Sequence, residues 1–169
     1  MDNALTLGFL GAGKMATALA GGFLKAGLIQ SEHLFASDPY QTALQSFVDK
    51  TGARLQSNNV EVVNQARFLI LAVKPGQVDS VLEEIKGQIK GHQVLVSIAA
   101  GIRIATLERG LPPQTQIVRV MPNTPALVGA SASPMRSTHL SARTMSLWFR
   151  SCFPPWVWRP RWMNLCWMQ

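Results

Sequence analysis

The apolar positions along the chain fall into short continuous runs separated by amphipathic stretches, and this alternation repeats from the amino terminus to about residue 121. Leu5, Leu7, Phe9 and Leu10 form the first run, which reaches Gly11 and Gly13 and passes directly into helix-forming residues. The pattern predicts a strand over 5–10, a tight turn, and a helix over 14–26. Met15, Leu19 and Phe23 recur at i, i+4 and i+8 with Ala16 and Ala20 beside them, and Gly27 suits the C′ position. Gly21 and Gly22 each weaken that helix by about 1 kcal/mol relative to alanine and point to close approach of another backbone. A second strand is predicted over 33–37, closed by Ser37-Asp38-Pro39, with Ser37 or Asp38 capping the next helix and Pro39 at its first position. That helix, over 40–50, places Ala43, Leu44, Phe47 and Val48 on one face and ends at Gly52. A short third strand over 53–55 follows. Asn58, with Glu61 three residues on, then opens a small helix running to Asn64.

The run over 67–73 is continuously apolar and reads as a strand buried on both faces, as in a parallel sheet. Pro75 ends it, and Val78, Val81, Leu82, Ile85 and Ile89 build the next amphipathic helix up to Gly91. The pattern recurs over 93–99, followed by Ala100-Gly101 and a short helix over 104–109. A last strand over 116–121 meets Pro122-Asn-Thr-Pro125, whose two prolines pin a loop. Strands alternating with helices predict an α/β fold, a doubly wound parallel (Rossmann-like) sheet, with loops at the carboxyl ends of the strands where such sheets bind ligands.

The first turn carries candidate chemistry. Gly11, Gly13 and Ala16 match G-x-G-x-x-A. Gly11 permits the turn, Gly13 lets the backbone approach a pyrophosphate, and Ala16 lets the helix pack on its strand. The free amides and positive dipole end of the following helix then face the phosphates. The competing reading is a small-residue turn that serves packing alone. At the end of the second strand the signals conflict: Ser37 suits a 2′-phosphate, Asp38 a 2′-hydroxyl, and Asp38 as a cap touches no cofactor. Asn59 reaches the same region unless it caps the helix in place of Asn58. Lys74, at a strand's carboxyl end, is a phosphate ligand or a solvated lysine.

Composition divides the 169 residues in two. Residues 1–131 hold all nine acids and eleven Lys or Arg, a net +2, whereas 132–169 hold five Arg, no Lys and no acid. All five Trp and both Cys also lie in that tail, and none of the thirteen Gly does. The net +7 is therefore a property of the tail rather than of a basic face on the fold. The tail shows no helical or strand period and is expected to be disordered or poorly packed. An Arg- and Trp-rich tail suits single-stranded nucleic acid or an anionic membrane surface. Loss of acids, Lys and Gly together with gain of Trp, Arg, Cys and Pro instead favours translation out of frame, with neither partner. Cys152 and Cys166 lack a C-x-x-C spacing, and His33, His92 and His139 are scattered, so no metal site is expected. No run of about 18 apolar residues spans a membrane, and Met1-Asp2-Asn3 lacks a basic leader region, which predicts a cytoplasmic protein.

Four segments together carry a more specific signal. Gly8-Phe-Leu-Gly-Ala-Gly-Lys-Met-Ala-Thr-Ala-Leu-Ala20, Ala72-Val-Lys-Pro-Gly76, Ser97-Ile-Ala-Ala-Gly101 and Arg119-Val-Met-Pro-Asn-Thr-Pro-Ala-Leu-Val128 resemble the pyrroline-5-carboxylate reductase family in order and spacing, over residues 4–131. The resemblance implies NAD(P)H-dependent reduction of 1-pyrroline-5-carboxylate to L-proline in proline biosynthesis, with NADP(H) or NAD(H) as cofactor. It places Leu10, Gly11, Ala12, Gly13, Lys14 and Met15 at the pyrophosphate, and Ser37, Asp38 and Asn59 near the adenosine 2′ position. Ala72, Val73, Lys74, Pro75, Ile98, Ala99 and Ala100 would line the dinucleotide, and Asn123 would lie near the nicotinamide. Lys14 departs from the Asn or Gln frequent there. The family's second, all-helical domain builds the dimer and the substrate-carboxylate site. Its S-G-S-G-P-A-Y-like run is absent, so a truncated chain of low or no activity is expected and no catalytic residue is assigned. The alternatives are an NADP(H)-binding module without turnover and an oxidoreductase of the 6-phosphogluconate or β-hydroxyacid dehydrogenase type. The coding DNA beyond codon 131 is expected to contain the helical domain's acidic, Gly-containing continuation in another frame. An uninterrupted native frame with no such alternative would refute the frame-shift reading.

Overall fold

A computed structural model of the chain describes residues 5–120 and 135–138. Strands β1 (Leu7–Leu10), β2 (Leu34–Ser37), β3 (Arg54–Leu55), β4 (Phe68–Leu71), β5 (Val94–Ser97), β6 (Gln116–Val120) and β7 (Met135–Thr138) form one sheet in the order β3-β2-β1-β4-β5-β6-β7. β1 to β6 are all parallel, and β7 joins antiparallel to β6. Helices α1 (Lys14–Lys25), α2 (Gln41–Thr51), α3 (Asn59–Gln65), α4 (Val78–Ile85) and α5 (Ile104–Arg109) lie between the strands. The strand order reverses between β1 and β4, so this is a doubly wound fold with its switch point beside the first glycine turn.

Alternation along the strands divides the core. Leu7, Phe9, Leu34, Ala36, Phe68, Ile70, Val94 and Val96 pack with Ala16 and Ala20 of α1 and Leu44 and Phe47 of α2. The rings of Phe9 and Phe47 meet there at 5.4 Å between centroids. Leu10, Phe35, Leu69, Leu71, Leu95 and Ile117 pack instead with Val62 and Val63 of α3, Val78, Val81, Leu82 and Ile85 of α4, and Leu107 of α5. Because both faces are covered, the strands carry apolar runs without polar alternation.

Gly8 lies in β1 beneath α3. A Cβ there would stand 2.5 Å from Val62 Cγ1 and 2.8 Å from Ala66 Cβ, so the glycine sets how closely helix and strand approach. The far end of α3 is held by Gln93, only 3% exposed. Its Nε2 donates to the carbonyls of Val63 (2.6 Å) and Ala66 (2.8 Å), and its Oε1 accepts from Lys90 N–H (2.8 Å). All the polar atoms of this buried amide thus have partners, and it satisfies carbonyls that the helix end leaves open.

Most predicted elements recur within one or two residues. α1 ends in a Schellman motif, with Gly27 at φ +67°, Leu28 N–H donating to Phe23 O and Gly27 N–H to Leu24 O. Asn58 caps α3 by accepting from Glu61 N–H at 2.9 Å, while Glu61 reaches back to Ser57 N–H. Three expectations are corrected. A Cβ on Gly21 or Gly22 would meet nothing within 4 Å, so no other backbone approaches them. Pro39 lies outside α2, whose N-cap is Tyr40 with no side-chain capping bond. α4 stops at Ile85, because Gln88 N–H donates to Ile85 O in a turn containing Gly87; Ile89 still packs on the core beyond it. Within the tail, Met135–Thr138 pairs along β6 from Ile117 to Val120, extending the sheet by backbone hydrogen bonds that need no apolar period. Among the described residues, no helix is long and apolar enough to cross a membrane.

Gly8→Ala should destabilise the chain by about 1–3 kcal/mol through overpacking. Gly21→Ala, which adds a methyl group in open space, should stabilise it by about 1 kcal/mol. Urea unfolding of the two variants checks both signs.

Candidate functional site

The register of the ladder brings the carboxyl ends of four strands into one row. Leu10 stands opposite Ser37 and Leu71, and Leu71 opposite Ser97. The hydrogen bonding runs one residue further: Gly11 N–H donates to Ser37 O (2.9 Å), Ala72 N–H to Leu10 O (2.9 Å) and Ile98 N–H to Leu71 O (3.1 Å). The loops beginning at Gly11, Asp38, Ala72 and Ile98 therefore leave the sheet along the same edge.

Within the first loop each small residue has a distinct cause. Gly11 adopts φ +97°, and a Cβ on it would stand 3.0 Å from Ala72 O and 3.0 Å from Val73 Cγ1. Both the left-handed backbone and the abutting second loop require glycine. Ala16 is buried against the sheet, as the close helix-to-strand packing demands. Gly13 is exposed, and a Cβ there would meet nothing within 4 Å, which leaves open space in front of α1. Gly13 is the N-cap of α1; no side chain caps it and no acid lies in the first turn. The first helical turn closes with Thr17 N–H donating to Gly13 O, so the amides of residues 13–16 have no partner within the helix. This twelve-residue helix directs its positive end into the open space, an arrangement that fits a diphosphate.

Both carboxylate oxygens of Asp38 accept from main-chain amides. Its Oδ2 accepts from Ala12 N–H at 2.8 Å and its Oδ1 from Tyr40 N–H at 2.9 Å. The carboxylate thus clamps the glycine loop and forms an Asx turn leading towards α2, rather than capping that helix. Ser37 is 3% exposed, and its Oγ donates to Asn59 Oδ1 at 2.8 Å. With Asn58 as the cap, Asn59 is released to face Ser37. Asn59 also donates twice to Glu84 of α4, from Nδ2 to Oε2 (2.6 Å) and from its backbone N–H to Oε1 (3.2 Å). Glu84 is a site residue that sequence reasoning missed. It lies on the exposed side of an amphipathic helix, where periodicity distinguishes no residue.

The remaining candidates separate by burial. Leu10, Ala12 and Ala99 turn their side chains into the core, so only their backbone is offered to the edge. Met15, Ala72, Val73 and Ile98 are half-buried, whereas Lys14, Lys74, Pro75 and Ala100 are exposed. Lys74 precedes a single 3₁₀ turn, Pro75–Gln77, that leads into α4. Asn123 lies outside the described residues. Among the described residues no group of three or more His, Cys, Asp or Glu is placed to hold a metal ion.

Comparison with known proteins gives concordant results. Residues 6–101 match the family model described as NADP oxidoreductase coenzyme F420-dependent. The chain is 43% identical over 127 residues to a pyrroline-5-carboxylate reductase of Methanosarcina acetivorans, covering 75% of this chain and 47% of that protein. It superposes on a pyrroline-5-carboxylate reductase from Coxiella burnetii with a TM-score of 0.81 at 27% identity, covering 89% of this chain and 57% of that one. The crystal structure of Plasmodium falciparum pyrroline carboxylate reductase with NADP bound gives a TM-score of 0.77 at 34% identity, covering 90% of this chain and 56% of that one. The chain spans about half the length of these relatives.

Asp38→Ala should cost about 1–3 kcal/mol, since it leaves two loop amides without their acceptor. Hydrogen exchange should accelerate at Ala12 and Tyr40 more than at Thr17, whose amide is bonded within the helix.

Proposed function

Because the chain belongs to the family of NADP oxidoreductases described as coenzyme F420-dependent and to the pyrroline-5-carboxylate reductase family, we propose that it holds NADP(H) along the carboxyl edge of its sheet. In this reading it serves as the cofactor half of an enzyme that reduces 1-pyrroline-5-carboxylate to L-proline. The observation that carries the reading is the uncapped start of α1, facing open space beside Gly13 and flanked by three further loops on one edge.

The residues divide the work by position. The backbone from Gly11 to Met15 binds the diphosphate through amides and the helix dipole, with Leu10 and Ala12 fixing that backbone from the core side. Ser37, Asp38 and Asn59 lie at the end of β2, where a doubly wound fold meets the adenosine ribose. The segments from Ala72 to Pro75 and from Ile98 to Ala100 form the wall along which the dinucleotide extends, and the family resemblance assigns Asn123 to its nicotinamide end. When bound, NADP(H) supplies the hydride that reduces the C=N bond. This chain's contribution is orientation of the donor, which converts an encounter into a near-attack geometry. The substrate carboxylate site lies, in this reading, in the part of the relatives' length that the chain does not span, so the dinucleotide-binding residues by themselves bind cofactor without turnover.

NADPH fluorescence should therefore titrate to saturation with the purified chain, and NADPH oxidation dependent on pyrroline-5-carboxylate should stay at background. Absence of saturable binding for both NADPH and NADH would overturn the cofactor site. Turnover above background would overturn the division of labour.

A further inference from the structure

The hydrogen-bond polarity at the end of β2 follows from one residue outside the glycine loop. Glu84 presents a carboxylate, which accepts and does not donate. Asn59 therefore turns its Nδ2 towards Glu84 Oε2 at 2.6 Å, and its backbone N–H reaches Oε1 of the same carboxylate at 3.2 Å. With the amide nitrogen committed, Asn59 Oδ1 faces Ser37, and the Ser37 hydroxyl must donate to it, at 2.8 Å. That donation uses the only proton Ser37 has. Its remaining capacity towards a ligand is acceptance alone. The orientation of each group in the chain Glu84–Asn59–Ser37 thus depends on the one before it. α4 fixes the origin of the chain, because Val81, Leu82 and Ile85 are buried and leave Glu84 on the exposed side.

Resting on the dinucleotide reading above, we propose that Glu84 is a specificity-determining positioning residue. By fixing the Asn59 amide it holds the Ser37 hydroxyl as an acceptor, which favours a ribose 2′-hydroxyl and weakens the hold on a 2′-phosphate. A 2′-hydroxyl donates to Ser37 and loses nothing. A phosphate monoester carries close to two negative charges near neutral pH and offers mainly acceptors, so it meets the lone pairs of Ser37 and the field of two carboxylates, Asp38 and Glu84. NADP(H) is bound here against this opposition, and Glu84 sets its size.

Glu84→Gln tests the chain of orientations with little change in shape. A glutamine amide can donate as well as accept, so it permits Asn59 to reverse, present Nδ2 to Ser37 and free the serine proton for a phosphate oxygen. Fluorescence titration of the 169-residue chain with NADPH and with NADH reads the ratio of the two dissociation constants. In Glu84→Gln the ratio should shift by about fivefold in favour of NADPH, the size of one modest charge-dependent interaction at an exposed site. NADH affinity should remain within about twofold, since a hydroxyl pairs with either orientation of Ser37. In a Ser37→Ala background the same substitution should shift the ratio clearly less, because the lost charge still acts on the phosphate while the relay has no end. An unchanged ratio in Glu84→Gln, or a shift of equal size in the Ser37→Ala background, overturns the inference while leaving the dinucleotide site standing. A wild-type chain that binds neither nucleotide overturns the site and this inference together.

Discussion

The site depends on the parallel hydrogen-bond ladder that holds the ends of β2, β1, β4 and β5 level. Leu10, Ser37, Leu71 and Ser97 occupy one row, and bonds from Gly11, Ala72 and Ile98 carry the pairing past the strands into the loops. A slip of one residue at any of these pairings would reverse which side chains face α1 and which face α3. It would also withdraw one loop from the common edge. The two cores guard the register, since each strand sends alternate apolar residues to opposite faces and both faces are fully covered. The ligand edge is in this sense a product of packing far from any ligand.

Local chemistry was readable wherever a short stretch decides its own conformation. Asn58 and Glu61 announce the start of α3 because a capping residue and its partner lie within one turn. Gly27 marks the end of α1 because a left-handed C′ position is a local demand. Gly11 and Gly13 stood out from the same kind of pattern, although the close neighbour of Gly11 is Ala72, more than sixty residues away. What could not be read depends on partners distant in sequence. Gly8 looks like one more small residue in a strand until Val62 and Ala66 arrive above it. Gly21 and Gly22 invited the opposite error, since nothing packs where their side chains are missing.

The polar residues at the end of β2 illustrate the same limit more sharply. From sequence, Ser37 and Asp38 compete for a single role at the ribose, one suited to phosphate and one to hydroxyl. In the fold they are engaged by different elements. Asp38 bonds across to Ala12 in the glycine loop, while Ser37 joins Asn59 and, through it, Glu84. The apparent contradiction was between neighbours in the chain that are not members of the same network. β7 belongs to this class too, because a strand added at a sheet edge draws on main-chain groups and leaves little trace in side-chain periodicity.

Gln93 has a mechanical consequence. Its buried amide joins the last carbonyls of α3 to the turn that precedes β5, on the side of the sheet away from the ligand loops. The end of α3 cannot fray towards solvent without stranding that amide, and β5 cannot detach at its amino end without exposing the helix carbonyls. Helix and strand are thereby bound into one cooperative unit. Asn59, at the opposite end of the same short helix, inherits the stiffness.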